Sequence, residues 1–257
     1  MKICASAASH PGNCRGKNED NFCFNGKMLR ANATIWPLRF QGQSNRPFLF
    51  GVFDGMGGIH AGEVASGIAA KTACSAYANM YSEVPYDAFL LNICNQANAL
   101  TCSEMLNVIK QRIGTTASML LFSEGRYYLC NIGDSPIFLF RENQLRPIFH
   151  EHTEKENFLR LHGVNALPPR KKFKLTQNIG IFPEEMEIEP YLASDILQSA
   201  DRFLICSDGI TDMVPENVIS EILGHKLSTA KTVSRLLQQA LDNGGRDNAT
   251  IICIDIQ

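Results

Sequence analysis

The sequence has no apolar run long enough to span a membrane, and its first residues, MKICASAASHPG, are too short and too polar for a signal peptide. It also lacks net charge, because 24 basic residues against 26 acidic residues leave only −2. No overall field attracts the chain to nucleic acid or to an anionic membrane. We therefore expect a cytoplasmic protein that binds neither nucleic acid nor membrane and that recognises any phosphate locally.

The nine cysteines form no C-x-x-C pair, which removes support for a finger-type structural zinc site. Their number is odd, and most lie inside apolar runs, as Cys130 and Cys206 do. This pattern is typical of small buried side chains in a reducing compartment and not of a disulfide framework.

Internal repeats, low-complexity tails and Pro- or Ser-rich linkers are also missing. With 45% hydrophobic and 19% charged residues, the 257-residue chain has the composition of a folded globular protein. We expect residues 1–257 to form a single α+β domain, and we take a monomer as its expected state.

Short runs rich in β-branched and aromatic residues predict strands. These runs are Phe48–Phe53, Ser118–Phe122, Arg126–Asn131, Ile137–Arg141, Arg202–Ser207 and Thr250–Ile256. Glu124-Gly125 and Glu142-Asn143 separate neighbouring runs by the two residues of a tight hairpin, which favours antiparallel pairing.

Apolar residues at spacings of three and four predict helices over Ala61–Tyr81 and Tyr86–Lys110. A third helix is expected to begin after an N-cap at Ser228 and to end at Gly244. Two segments, Lys27–Pro47 and Glu151–Thr176, show no periodicity and are expected to be irregular. The second contains Pro168-Pro169 and a basic cluster (Arg170, Lys171, Lys172 and Lys174), for which we expect a solvated loop.

Carboxylates follow several of the predicted strands. Asp54 and Asp208 each end an apolar run and precede glycine, and Asp134 follows Gly133 just after a strand. One Asp-Gly pair would be an ordinary turn. Together with Asn18-Glu19-Asp20 and Arg246-Asp247-Asn248, however, these acids indicate carboxylates converging at one end of a sheet. Such a cluster repels itself unless cations neutralise it, and oxygen ligands favour magnesium or manganese, a pair of which recurs in phosphoryl displacement by water.

Six motifs, in order along the chain, resemble the metal-dependent protein phosphatase family, also called the protein phosphatase 2C family, in its compact bacterial form. They are R-x-x-N-E-D (Arg15 to Asp20), VFDGMGG (from Val52), GTTA (from Gly114), NIGDSPIF (from Asn131), LICSDGITD (from Leu204) and GGRDNATIICI (from Gly244). Each motif alone is weak, but the ordered set covers essentially the whole chain.

The resemblance implies a central antiparallel β-sandwich flanked by pairs of antiparallel helices, in four αββα layers. It implies a serine/threonine protein phosphatase that hydrolyses phosphoserine and phosphothreonine on proteins, which would be targets of a serine/threonine kinase. The cofactors would be Mn²⁺ or Mg²⁺, two ions with a third in some bacterial relatives. In that family a water between two ions attacks the phosphoryl group.

The same resemblance assigns roles to individual residues. Asp54 would bridge two ions, the Gly55 carbonyl and a water-linked Glu19 would complete one of them, and Asp208 and Asp247 would bind the other. Arg15 would bind the phosphate, since a guanidinium holds two phosphoryl oxygens. Asp134 and Asp212 match ligands of the third, weaker ion, although Asp212 also suits a turn or a helix cap. Asp20 and Asn248 would orient neighbouring ligands by hydrogen bonds.

The sequence departs from the family in two places. Some relatives have a histidine, the suggested general acid, where this chain has Met56, which cannot transfer a proton. His150 and His152 lie on either side of Glu151 in the loop after Phe149. Histidines on a loop are more often solvated than catalytic, so we leave both out of the site. The segment Glu151–Thr176 matches a mobile flap of relatives, where we expect substrate choice to reside, and Lys27–Pro47 would be a hairpin extension or a partner surface.

Several other functions are open to comparison with this one. A catalytically inactive pseudophosphatase acting as a binding module is the main alternative, but it would be expected to lack one of Arg15, Glu19, Asp54, Asp208 and Asp247. No G-x-x-x-x-G-K-[ST] phosphate loop is present. No cysteine is followed six residues later by arginine, as a cysteine-nucleophile phosphatase requires, and Met56 stands where a haloacid-dehalogenase-type enzyme has a second aspartate.

Overall fold

The computed structural model describes residues 1–30, 33–44, 46–57, 61–80, 85–163 and 173–257. In chain order, its strands are β1 (Lys2–His10), β2 (Asn21–Phe24), β3 (Lys27–Met28), β4 (Ile35–Gln43), β5 (Phe48–Phe53), β6 (Gly55–Gly57), β7 (Ile113–Thr115), β8 (Ala117–Ser123), β9 (Arg126–Ile132), β10 (Ile137–Arg141), β11 (Gln144–Pro147), β12 (Tyr191–Ile196), β13 (Arg202–Cys206) and β14 (Ala249–Ile256). The helices are α1 (Gly62–Ala78), α2 (Tyr86–Glu104), α3 (Glu154–His162), α4 (Asp208–Thr211), α5 (Glu216–Gly224) and α6 (Thr229–Asp242).

The strands form two six-stranded sheets and one small pair. The first sheet has the order β11-β10-β13-β14-β1-β4, the second has the order β12-β9-β8-β5-β2-β3, and β6 pairs with β7. The paired strands run antiparallel. This arrangement agrees with the α+β class predicted from the sequence.

The two sheets pack face to face over a core rich in phenylalanine. Phe24 and Phe50 of the second sheet lie in this core with Phe203 of the first, and the rings of Phe122 and Phe203 meet edge to face at 5.1 Å. Such aromatic pairs contribute about 0.5–1.5 kcal/mol beyond the burial of their area. The core therefore holds the sheets in a fixed relation to one another.

Helices cover the outer face of each sheet. Ala69 of α1 and Leu90 of α2 pack on the second sheet, and Val233 and Leu236 of α6 pack with α5 on the first sheet. The layers therefore run helices, sheet, sheet, helices, which confirms the predicted four-layer αββα sandwich.

Both predicted hairpins are present. Glu124 and Gly125 join β8 to β9 with φ of 51° and 73°, and Glu142 and Asn143 join β10 to β11 with φ of 54° and 60°. Two successive positive φ angles give the turn whose twist matches that of antiparallel strands.

The predicted helices are present with shifted ends. The first ends at Ala78, and the second continues from Glu104 into a π-helical turn, Met105–Ile109, that Lys110 terminates in the left-handed conformation. Ser228 caps α6 as predicted, because its hydroxyl accepts from the Lys231 amide. Within the described residues, no helix is both long and apolar enough to cross a membrane.

Two predictions of irregular structure were wrong. Lys27–Pro47 contains β3 and the nine-residue strand β4, which pairs with β1 at the edge of the first sheet. Glu151–Thr176 contains α3, whose first turn is capped by the Thr153 hydroxyl accepting from the Glu156 amide. The predicted solvated loop with Pro168-Pro169 and residues 170–172 lies outside the described residues.

Candidate active site at one end of the sandwich

Strand ends from both sheets meet at one end of the sandwich. In the second sheet, Phe53 at the end of β5 pairs with Asn21 at the start of β2. Asp54, which follows Phe53, and Asp20, which precedes Asn21, therefore lie at the same end of the sheet. In the first sheet β13 ends just before Asp208, and its neighbour β14 begins just after Asp247. The topology therefore brings acids from distant parts of the sequence to the same place.

These strand ends line an open cleft of about 860 Å³. Eight residues singled out in the sequence line it: Arg15, Glu19, Asp54, Gly55, Asp134, Asp208, Asp212 and Asp247. The other two, Asp20 and Asn248, are buried and are not among the residues that line it. The structure thus brings together the residues that the sequence motifs selected.

The backbone of Asp54 is fixed by three hydrogen bonds. Its amide donates to the Thr116 hydroxyl at 3.0 Å, and its carbonyl accepts from the Thr116 amide and the Thr115 hydroxyl, both at 2.9 Å. Burial of the carboxyl group, followed by the nearby charges of Asp20 and Asp208, raises the pKa of Asp54 well above its ordinary value. The fold therefore holds this carboxylate where a negative charge is costly.

Gly55 lies where three backbone segments touch. A Cβ atom at this position would lie 2.3 Å from the Gly62 carbonyl oxygen and 2.4 Å from the Glu19 carbonyl oxygen. Those distances exclude a side chain, so glycine lets the segment after β5 pack directly on the start of α1 and on the backbone of Glu19.

Glu19 is held from three directions. Its amide donates to Oδ1 of Asn248 at 2.7 Å, its carbonyl accepts from the Ser66 hydroxyl at 2.6 Å, and its Oε1 accepts from the Gly62 amide at 3.3 Å. Burial raises the pKa of Glu19. The carboxylate is thus anchored at the N-terminal end of α1, where the helix dipole favours a negative charge.

Asn248 ties the N-terminal loop to the start of β14. Its Nδ2 donates to the carbonyls of Pro11 at 2.9 Å and Lys17 at 2.8 Å, in addition to the bond that its Oδ1 accepts from Glu19. Since Arg15 lies between Pro11 and Lys17, this one side chain positions the loop that carries Arg15 and Glu19.

Asp20 connects the two sheets behind the cleft. Its Oδ2 accepts from the Ser207 hydroxyl at 2.7 Å, and its side chain is buried. Burial is the main cause that raises the pKa of Asp20 to about 7, and the charges of Asp208 and Asp247 add to it.

Asp208 begins the short helix α4, and Asp212 follows the end of that helix on an exposed position. A Cβ on Gly209 would lie 1.9 Å from the Asn248 carbonyl oxygen, so the turn after β13 packs tightly against the start of β14. Asp134 stands nearby, and burial followed by the charge of Asp208 raises its pKa to about 7.

Arg15 lies at the rim with half of its side chain exposed, and its guanidinium donates to Oδ2 of Asp247 at 2.7 Å. The other carboxylate oxygen of Asp247 accepts from the Asn248 amide at 2.9 Å. The guanidinium places one positive charge against a cluster that is otherwise acidic along this side of the cleft.

The donor set fits hard divalent cations. It consists of carboxylates and a backbone carbonyl, the ligands that Mg²⁺ and Mn²⁺ prefer. Burial first, and then the charges of neighbouring acids, raise the pKa of Asp54 and of Asp134. Among the described residues, no three aspartate, glutamate, histidine or cysteine side chains lie close enough together to hold an ion without rearrangement. Asp247 in particular is turned towards Arg15.

Sequence reasoning missed the residues that close the other side of the cleft. Glu151, Thr153, Lys155, Phe173 and Leu175 come from the segment predicted to be irregular, and Glu216 comes from the first turn of α5. The pattern Thr153-x-x-Glu156 is a capping-box signature and would have indicated the helix.

The histidines left out of the site are not solvated. His152 is 8% exposed, and its Nδ1 lies 3.3 Å from both the amide nitrogen and the carbonyl oxygen of Gly133. Burial lowers its pKa. His150 is half-buried, with its ring 4.9 Å from that of His152. Neither histidine lines the cleft, whereas Met56 does.

Comparison with known proteins gives concordant matches. Residues 37–244 match the model of the protein phosphatase 2C family. The chain is 28% identical over 231 residues to the serine/threonine phosphatase stp of Listeria welshimeri, which covers 84% of this chain and 87% of that protein. It is 31% identical over 215 residues to the serine/threonine protein phosphatase PstP of Mycobacterium tuberculosis, covering 81% of this chain and 40% of that longer protein. A crystal structure of the catalytic domain of PstP in complex with two manganese ions superposes with a TM-score of 0.79, at 25% identity and 99% coverage of both chains.

Proposed function

Since the chain belongs to the protein phosphatase 2C family and is a protein serine/threonine phosphatase, we propose that the acidic cleft is its active site. The observation that carries this proposal is the convergence of Arg15, Glu19, Asp54, Asp208 and Asp247 on one cleft from four separate stretches of sequence. An inactive binding module would have no need to keep such an arrangement, because mutually repelling acids destabilise a fold unless they bind cations.

The ions proposed for this site are two Mn²⁺ or Mg²⁺, by analogy with the two manganese ions in the PstP structure. Asp54 would contact both ions, with the Gly55 carbonyl and Glu19 on one side and Asp208 and Asp247 on the other. Asp134 and Asp212 would hold a third ion. When bound, such ions would lower the pKa of the attacking water and would offset the negative charge of the phosphoryl oxygens.

The chain's own residues supply position and charge. Arg15 would hold two phosphoryl oxygens with its planar guanidinium, and its place at the exposed rim leaves it reachable by a phosphorylated side chain. Asp247 steadies that guanidinium through the 2.7 Å contact, and Asn248 fixes the loop that carries it. Asp20 holds Ser207, the residue before Asp208, and thus the relation between the two sheets.

The substrates would be proteins phosphorylated on serine or threonine by a partner kinase. We also propose a cytoplasmic location, because the nine cysteines are odd in number and most lie inside apolar runs, as small buried side chains do in a reducing compartment. The monomeric state expected from the sequence stays a prediction.

The direct test is hydrolysis of p-nitrophenyl phosphate and of a phosphothreonine peptide by metal-free protein, before and after addition of Mn²⁺. Asp54→Asn is the variant, and Asp195→Asn, the same change at an exposed position on β12, is the matched control. We expect turnover of both compounds only with Mn²⁺, loss of turnover in Asp54→Asn, and full activity in the control. A manganese-loaded wild type that hydrolyses neither compound would instead support the inactive binding module.

A further inference from the structure

A second concave surface lies away from the acidic cleft, between strand β4 and helix α6. This groove has a volume of about 420 Å³, and its lining includes Trp36, Pro37 and Arg39 from β4 and Lys231, Ser234 and Arg235 from α6. None of these residues lines the acidic cleft. We call this surface the β4–α6 groove.

The groove follows from the periodicity of its two walls. Arg39 pairs with Ser6, and Ser6 contacts Thr229 of α6 through a hydroxyl bond of 2.9 Å, so this face of β4 is turned towards the helix. In α6 the buried side, which includes Val233, packs on the sheet, while Lys231 and Arg235 recur on the exposed side one turn apart. The edge strand β4 and the exposed side of α6 therefore form the two walls of the groove.

The β4–α6 groove is basic, and the described residues that line it include no acid. Arg39, Lys231 and Arg235 are exposed, and none of them has an ion-pair partner among the described residues. Arg235 approaches only a histidine, with Nη1 at 3.4 Å from Nδ1 of His225. Trp36, the single tryptophan of the chain, is 41% exposed beside these cations. A large aromatic surface among unpaired cations is the composition that anchors an acidic peptide.

The groove also leads towards the active site. Ile35, at the start of β4, pairs with Ser9, whose hydroxyl bonds to that of Thr250 at 2.7 Å, three residues after Asp247. At the end of α6, the Leu241 carbonyl accepts from Asn13 at 2.8 Å, two residues before Arg15. The β4 wall therefore begins beside the end of β1, and the α6 wall ends at the loop that follows β1 and carries Arg15.

We propose that the β4–α6 groove docks an acidic, extended segment of the phosphoprotein substrate, separate from the residues around the phosphate. This inference rests on the proposed function. We choose a peptide over a nucleic acid as the occupant because only a few cations line the groove and they lie beside an aromatic ring. The net charge of −2 gives the chain none of the general attraction on which nucleic-acid binding depends.

Trp36 provides a direct readout of binding. The probe is a non-phosphorylated, glutamate-rich peptide without tryptophan or tyrosine, titrated into the wild-type protein while tryptophan fluorescence is recorded. We expect a saturable change that weakens as salt is raised. In the double variant Lys231→Glu/Arg235→Glu the Kd should rise by about tenfold or more. Lys71→Glu, a single charge reversal at an exposed position of α1, should leave the Kd unchanged.

A kinetic measurement links the groove to substrate choice. We compare two phosphothreonine peptides that differ only in an acidic extension. The double variant should raise KM for the extended peptide to that of the short one, while its turnover of p-nitrophenyl phosphate stays at the wild-type value. That unchanged turnover also shows that the variant is folded.

Three results would overturn the proposal: no fluorescence change with the acidic peptide, equal weakening in Lys71→Glu and the double variant, or tighter binding of an oligonucleotide of the same charge. These results are distinct from failure of the proposed function. Peptide binding without any phosphatase turnover would refute the catalytic role of the cleft, whereas turnover without peptide binding would refute only the docking role of the groove.

Discussion

Asp20 is buried, Asp54 and Asp134 are partly buried in the cleft, and each of the three lies near other acids. Burial is the largest cause of the raised pKa in each of them, and the charge of Asp208 contributes to all three. Without bound cations, such groups keep protons to higher pH than free aspartate does. The charge state of the cleft, and with it the stability of the fold, therefore depends on pH and on metal.

The sign of that dependence follows from the raised pKa values. The pKa values of Asp20 and Asp134 are raised from 3.8 to about 7, so between these values the folded state binds protons that the unfolded state has released. The stability that these protons contribute is full below about pH 4 and is lost as the pH rises through about 7. We predict that the melting temperature of the metal-free protein falls between pH 5 and pH 7.5. Each kcal/mol of unfolding free energy that is lost should lower it by about 2–4 °C.

Saturating Mn²⁺ should remove most of this pH dependence, because cations then stabilise the ionised acids. Asp134→Asn provides the matched comparison, since asparagine does not titrate, and its metal-free melting curve should vary less with pH. Equal pH dependence with and without Mn²⁺ would show that other groups control the stability.

Arg15 gives a prediction about the substrate rather than the metal. Arg15→Ala should lower kcat/KM for a phosphothreonine peptide by about 10²-fold, the usual cost of removing one donor to a developing anion. Arg15→Lys keeps the charge but loses the two-pronged geometry, so it should recover only part of the activity. A wild-type kcat/KM in Arg15→Ala would mean that Arg15 only pairs with Asp247.

At the residue scale, the sequence could predict a site residue where an acid directly follows a predicted strand. Acids directly after predicted strands, such as Asp54 and Asp208, had to lie at strand ends and could be selected. Glu151 precedes α3 in a segment that was predicted to be irregular, and Glu216 lies in the first turn of α5, a helix that was not predicted, so neither residue was selected.

At the scale of elements, the turn after β13 shows how closely the cleft is packed. A Cβ at Gly209 would lie 1.9 Å from the Asn248 carbonyl oxygen, so Gly209→Ala must displace Asp208 or β14. We predict a loss of stability of about 1–3 kcal/mol, as for other overpacked sites. Chemical denaturation measures it, together with a fall in phosphatase activity.

Gly67→Ala is the control for this change. Gly67 lies within α1, and a Cβ there would meet no atom within 4 Å. Alanine should stabilise the helix by about 0.5–1 kcal/mol, with unchanged activity. If both variants lost the same stability, close packing at Gly209 would not be the cause.

Three strands that sequence reasoning missed lack the usual strand pattern, each for a different physical reason. Strand β1 reads KICASAASH, and its small residues carry no strand pattern, yet Ala5 and Ala7 are buried because they face the core between the two sheets. Strand β4 contains Pro37, which edge strands tolerate because one side of the backbone needs no partner. Strand β12 is largely exposed and lacks an apolar run.

At the scale of the whole molecule, the cleft exists because the two sheets pack face to face with these strand ends at the same end of the sandwich. Glu19, Asp54 and Asp134 adjoin strands of the second sheet, whereas Asp208 and Asp247 adjoin strands of the first. The phenylalanine core fixes the sheets, and the Asp20–Ser207 hydrogen bond joins them beside the cleft. Periodicity could predict several of the strands, such as β5 and β13, but not this relation, which came from the ordered motifs.

The central claim is that the acids of the cleft hold divalent cations. Calorimetric titration of Mn²⁺ into metal-free wild-type protein and into Asp54→Asn tests it directly, with Asp195→Asn as the control. We predict saturable binding of at least two ions to the wild type and the control, and a loss of at least about tenfold in affinity in Asp54→Asn. Binding of the same number of ions with the same affinity by Asp54→Asn would contradict the account.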